Sequence, residues 1–135
     1  MARYANIWQR GPEFMHLNNR DMIEKMIRVL SDQGARSVLV FTVTSPKSAA
    51  ELSEQLGIPI RSTYRHITDL CDLGLLAGER SALIESGGKS VLYRSMVKSV
   101  TLEYDNVKDS FDVNLVPNEN ILDRFVRFWG YMGAK

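Results

Sequence analysis

The chain holds one cysteine, Cys71, in 135 residues. A lone thiol excludes an internal disulfide framework and any cysteine-based zinc finger. Histidine is nearly as scarce. His16 and His66 are the whole supply, so a cysteine- or histidine-rich metal site cannot be assembled within one chain. No cofactor is expected. Long apolar runs are lacking too: none approaches the about 20 residues that a membrane-spanning helix needs. The N-terminal region has neither the apolar stretch nor the small-residue cleavage pattern of a secretory signal. The expected location is the cytoplasm, with no membrane partner. Charge of one sign is not in excess, since the formal net charge is +1. A strongly basic domain would point to nucleic acid by itself. Here any such argument rests on where the basic residues lie.

Catalytic motifs are missing as well. Gly87 and Gly88 fall in a predicted hairpin with no helix after them, which is not a phosphate-binding loop. Serine, histidine and aspartate are present without a motif that frames a nucleophile. The chain reads as a non-enzyme. Cys71 lies among Leu70, Leu73 and Leu75, where a thiol acts as a small core hydrophobe.

What is present is a series of short elements with clear ends. Residues 1–14 show no period. Gly11-Pro12-Glu13-Phe14 before Met15 reads either as a cloning junction or as a native leader. Asn18 and Asn19 suit an N-cap, Asp21 suits a first turn, and Met22, Ile23, Met26, Ile27 and Leu30 recur at helical spacing. A helix is predicted over 19–31. Over 35–44 the apolar Val38, Leu39, Val40, Phe41 and Val43 favour a buried strand by propensity, but periodicity does not separate that from a buried helix. Ser48-Ala49-Ala50-Glu51 is a capping box, and Gly57 closes the helix it opens. Pro59 suits a cap or first-turn position for a second helix over 60–73. Thr63, Ile67 and Leu70 share its inner face, and Gly74 ends it. Two short helices around a glycine turn are the helix-turn-helix pattern.

The period then changes. Leu75-Leu76-Ala77 is expected to be extended, and strands over 81–85 and 90–94 flank Ser86-Gly87-Gly88-Lys89, a loop of hairpin length. A hairpin directly after such a helix is a wing. Val100, Leu102 and Tyr104 alternate with polar residues, as do Phe111, Val113 and Leu115, so a second hairpin with one apolar face is predicted. From about Asn118 a last helix carries Ile121, Leu122, Phe125, Phe128, Trp129 and Met132 on one face. The predicted class is α+β: a winged helix-turn-helix core with a C-terminal β-hairpin extension and terminal helices. Its expected division is a leader over 1–14, the winged domain over 15–98, and an accessory or dimerisation element over 99–135.

Several stretches carry a family likeness. Leu30-Ser31-Asp32, SAAELSEQLGI over 48–58, RSTYRHITDL over 61–70 and GLL over 74–76 resemble the winged-helix core of the ArsR-like transcription regulators and of related small archaeal regulators. VLYRSMVKSVTLEYD over 91–105 looks like the tail of archaeal members. The resemblance implies that 35–44 is helical, against its β-propensity. It also departs from the family in two ways. The ligands of its metal-sensing members are absent, and Thr63 stands where relatives usually carry an aliphatic residue. The threonine hydroxyl can bond a carbonyl one turn earlier, which keeps the helix plausible.

A reading helix presents its N-terminal turns to base edges. With Thr63 and Ile67 inward, Arg61, Ser62, Tyr64 and Arg65 are the candidate contacts to double-stranded DNA, Arg65 to a guanine and Tyr64 and Ser62 to phosphate or sugar. Lys47 and Ser48 start the preceding helix, where free N–H groups suit a phosphate. Lys89 at the wing tip, with Arg80 and Arg94 nearby, suits backbone or minor groove. His66 is expected to be half-buried and bonded to a backbone carbonyl. Asp69, Asp72 and Glu79 oppose these cations, so one copy would bind weakly and a homodimer is expected. Met22 and Met26 on the first helix, or Phe125, Phe128 and Trp129 on the last, are the candidate dimer surfaces. Each set would otherwise be buried within its own chain. Two rival readings remain open: a winged-helix module that docks protein, and a sensor whose last strands and helix enclose a small molecule.

Overall fold

The computed structural model describes residues 15–17, 19–81 and 90–118. In chain order they form β1 (Met15–Leu17), α1 (Arg20–Leu30), α2 (Gln33–Phe41), α3 (Ala49–Leu56), α4 (Ile60–Asp72), β2 (Leu76–Ser81), β3 (Ser90–Ser95), β4 (Val97–Asp105) and β5 (Ser110–Pro117). Among the described residues the class is α+β, with four helices and two small antiparallel sheets. No described helix is long and apolar enough to cross a membrane. The stretch 1–14 expected as a tag or leader, the expected hairpin loop over 86–89 and nearly all of the helix expected from Asn118 lie outside the described residues.

Helix α1 starts as its sequence predicts. The Asn19 side chain accepts the Met22 N–H at 3.0 Å, and Asp21 sits in the first turn. Its inner face is Met22, Ile23, Met26 and Val29, all buried. Met22 is 2% exposed and Met26 1%. These two residues therefore do not form the dimer surface considered above. Their side chains fill this chain's own core and cannot reach a second copy.

Of the run over 35–44, residues 35–41 are helical, within α2, and the helix ends at the Thr42 C-cap. Asp32 caps it, its carboxylate accepting the Gly34 N–H at 2.8 Å. Ala35, Val38 and Thr42 are buried, three and four residues apart, while Val40 is 66% exposed. A strand would have buried Val38, Val40 and Thr42 together. Tertiary burial of one stripe outweighs the β-propensity of the run.

The second sheet is a hairpin of β2 and β3 in antiparallel register, from Leu76 opposite Ser95 to Ser81 opposite Ser90. Its first strand takes in Leu76 and Ala77, expected to be extended, and runs unbroken to Ser81, where the hairpin strand was expected to start. Leu73, Leu75 and Leu76 are buried, so the short turn at Gly74 carries the chain from α4 into the strand within the core. Of the stretch 81–85 only Ser81 lies among the described residues.

The other sheet has the order β1-β5-β4. Leu115 faces Val100, Val113 faces Leu102, and Phe111 faces Tyr104, so the two alternating strands share an apolar face as predicted. Val113 and Leu115 join α1 in the core, while Leu102 and Tyr104 on the edge strand stay partly exposed. β1 was not anticipated, since three residues give too little alternation to read. The hairpin is no separate appendage. Its Val97, Val113 and Leu115 belong to the same buried cluster as Met22, Val38, Leu52 and Leu70.

This core predicts a contrast. Leu52→Ala, at a fully buried site, should lower stability by about 2–5 kcal/mol in a denaturant titration. Val107→Ala, at a position 94% exposed, should stay within about 0.5 kcal/mol of the parent.

Candidate nucleic-acid interface

Helices α3 and α4 and the β2–β3 hairpin follow one another directly, and local chemistry sets each junction. The Ser48 hydroxyl accepts the Glu51 N–H at 3.1 Å, and the Glu51 carboxylate accepts the Ser48 N–H at 2.8 Å. This is the reciprocal capping box expected from the sequence. Gly57 ends α3 with φ at 67°, the left-handed backbone that only glycine adopts freely. Its N–H donates to Ser53 O at 2.9 Å, and the Ser53 hydroxyl donates to Ile58 O at 2.7 Å. Pro59 caps α4 without a side-chain bond. The Thr63 hydroxyl donates back to Pro59 O at 3.2 Å, which satisfies the buried polar group that an aliphatic residue would not bring.

Helix α4 has two distinct faces. Thr63, His66, Ile67 and Leu70 are buried. Arg61, Tyr64 and Arg65 are exposed on the N-terminal half, with Ser62 half-buried beside them. The sequence-predicted set is thus brought together on one outward surface. Asp72, which was counted against these cations, is taken up by α1: Lys25 Nζ lies 3.1 Å from its carboxylate. That leaves the acids at the far end of α4 from Arg61. Asp69 and Arg65 line a small cleft with Arg28, Asp32 and His66 at the junction of α1 and α2. Arg65 therefore sits on the α1–α2 side of the surface.

His66 is more buried than expected, and its Nδ1 lies 3.9 Å from Asp32 Oδ2, where a backbone carbonyl was expected. Gly34 presses against its ring: a Cβ on Gly34 would stand 2.5 Å from His66 Nε2. His66 thus braces α4 against the start of α2 from behind the outward face.

Lys47 also reaches this region, but its backbone does more than its side chain. Its N–H donates to Tyr93 O at 3.0 Å and its carbonyl accepts the Tyr93 N–H at 2.7 Å, an isolated bridge from the start of α3 to β3. The Lys47 ammonium donates to Ser45 Oγ at 2.9 Å. Ser48 already spends its N–H on Glu51, whose carboxylate adds negative charge at the start of α3. Lys89 lies outside the described residues, and so do Phe125, Phe128 and Trp129. Arg94 on β3 keeps its Nε buried.

Sequence reading missed Lys25, Gly34 and Tyr93 as parts that hold this surface. Tyr93 packs over Gly78 of the paired strand, where a Cβ would stand 2.9 Å from its ring. Burial raises the Tyr93 phenol above its ordinary range, with Cys71 and Tyr64 adding to the effect. The alternation of Val91, Tyr93 and Ser95 was the available signal for Tyr93. Burial, and to a lesser extent the neighbouring Asp72 carboxylate, push the Cys71 thiol up to about 11. At neutral pH it is a protonated packing group, not a reactive thiolate.

Two measurements follow from this geometry. Cys71 should react with a disulfide reagent at pH 8 far more slowly in the folded protein than in urea. Because its folded pKa lies above its ordinary 9.0, the stability it contributes is present below pH 9 and is lost as pH rises toward about 11. Ser48→Ala should cost about 0.5–2 kcal/mol in thermal or denaturant unfolding, and Ser48→Asp should restore most of it, since aspartate caps as well as serine. No family model matches this chain, and no curated protein matches it in sequence.

Proposed function

We propose that the chain is a winged helix-turn-helix regulator of transcription that binds double-stranded DNA, with α4 as the reading helix and the β2–β3 hairpin as the wing. The observation that carries this is the outward face of α4. Arg61, Ser62, Tyr64 and Arg65 stand together on its N-terminal turns, opposite a buried face of Thr63, Ile67 and Leu70. Reading helices use those turns, because side chains there project toward base edges in the major groove. Arg65 supplies a fork suited to guanine O6 and N7. Arg61 and Tyr64 suit phosphate and sugar. Withdrawal of Asp72 by Lys25 lowers the repulsion that a phosphate backbone would meet.

The net charge of +1 keeps the electrostatic share of binding small for one copy. A homodimer would double the phosphate contacts and suit a near-palindromic site with half-sites about one helical turn apart. One observation favours the rival protein-docking reading: Ile60 is 44% exposed and Tyr64 50% on this same surface. Aromatic and aliphatic groups of that kind anchor protein interfaces. The ligand-sensing reading has less support, since Val113 and Leu115 are packed without exposure against α1.

Fluorescence anisotropy with duplexes selected from random sequence tests the proposal. Affinity should fall as salt rises, with a logarithmic slope of about −0.9 per phosphate neutralised. Arg65→Ala should lose about 1–3 kcal/mol of discrimination between the selected site and a mutated one. Lys89→Ala should weaken both duplexes alike. Salt-insensitive binding, or no selected sequence at all, would favour the protein-docking module.

A further inference from the structure

We propose that the apolar groove between α2 and β4 is the seat of residues 119–135 of the same chain. The groove has a volume of about 400 Å³ and is lined by Leu39, Val40 and Val43 on one side and Val97 and Val100 on the other. None of these residues takes part in the DNA-binding surface, so the inference stands apart from that reading.

The path of the chain selects the occupant. Asn118 is buried at the groove's end, its Nδ2 donating to Val43 O and to Ser95 O, each at 2.8 Å. Val43 and Ser95 both line the groove. The Asn118 N–H donates to Met96 O at 3.0 Å, which holds the backbone at the same spot. The described chain therefore ends at Asn118, against two residues that line the groove.

The pattern of the following residues matches what the groove offers. Ile121, Leu122, Phe125, Phe128, Trp129 and Met132 recur at helical spacing on one face, with Asp123, Arg124 and Arg127 on the other. Such a face needs an apolar partner, and Val40 offers one at 66% exposed. A tethered segment also meets the groove at an effective concentration of about millimolar, which a second copy reaches only when concentrated. Phe125, Phe128 and Trp129 are then inner contacts of one chain, and the dimer role considered for them passes to another surface.

The test uses the full chain carrying Val40→Cys and Phe125→Cys, oxidised and run on a denaturing, non-reducing gel. Val40→Cys alone and Phe125→Cys alone control for Cys71. The expected result is a disulfide within one chain: monomer mass, faster migration, and a cross-linked peptide joining positions 40 and 125. A bond joining two chains would overturn the same-chain assignment. A second pair, Val100→Cys with Trp129→Cys, allows for a different register along the groove, and failure of both pairs to cross-link would overturn the seat itself. As a check without oxidation, Val40→Asp changes an exposed position and should leave the circular dichroism intact. It should speed protease cleavage within 119–135 by about tenfold, the equivalent of 1.4 kcal/mol of docking energy. Unchanged cleavage with the fold intact would count against the groove.

Discussion

Backbone carbonyls at the ends of short elements must find donors in the interior, and in this chain one side-chain amide answers two of them. Asn118 donates to Val43 O, just beyond α2, and to Ser95 O, at the end of β3. Its own backbone closes on Met96, between the two sheets. Three segments far apart in sequence are joined at one buried point. Leaving either carbonyl bare there would cost about 1–3 kcal/mol. The neighbouring bonds extend the same joint: Ser95 N–H reaches Thr42 O, and Met96 N–H reaches Leu75 O. The position of β3 against α2 and the turn after α4 depend on these bonds, and the β2–β3 hairpin takes its placement from them.

The outward face of α4 is positioned from behind in the same manner. Pro59 and Thr63 hold its first turn, His66 abuts Gly34 in its middle, and Lys25 binds Asp72 in its last turn. Each contact lies on a side turned away from Arg61 and Tyr64. The surface side chains are thereby freed from structural duty, and their substitution should have little effect on folding. Ser48 is the exception, because its hydroxyl serves the helix cap before it can serve any ligand.

Much of this was legible where causes are local. The capping box at Ser48 and Glu51, the left-handed glycines at 57 and 74, and the Thr63 back-bond all act within a few residues. The outward set on α4 followed from the inward spacing of Thr63, Ile67 and Leu70. Illegible parts depended on distant partners. The α2 run is apolar on every side, so only the packing of Ala35 and Val38 decides its helix. β1 exists because Met15 and Leu17 find Leu115 and Val113 across the sheet. Met22 and Met26 resembled a free stripe because elements that pack on α1, α4 and β5 among them, lie far along the chain. The partners of His66 and Asp72 were hidden for the same reason.

The contact between Gly34 and His66 has an implication for how this sequence can drift. Position 34 holds no side chain because the imidazole fills that space. An alanine there needs the ring at 66 to turn aside or to give way to something smaller, because a Cβ would stand 2.5 Å from its Nε2. A change at either position therefore bears on the other. Of the two, only 66 lies on the helix that carries Arg65. The packing at the start of α2 is in this way felt on α4, at a position that is itself almost wholly buried.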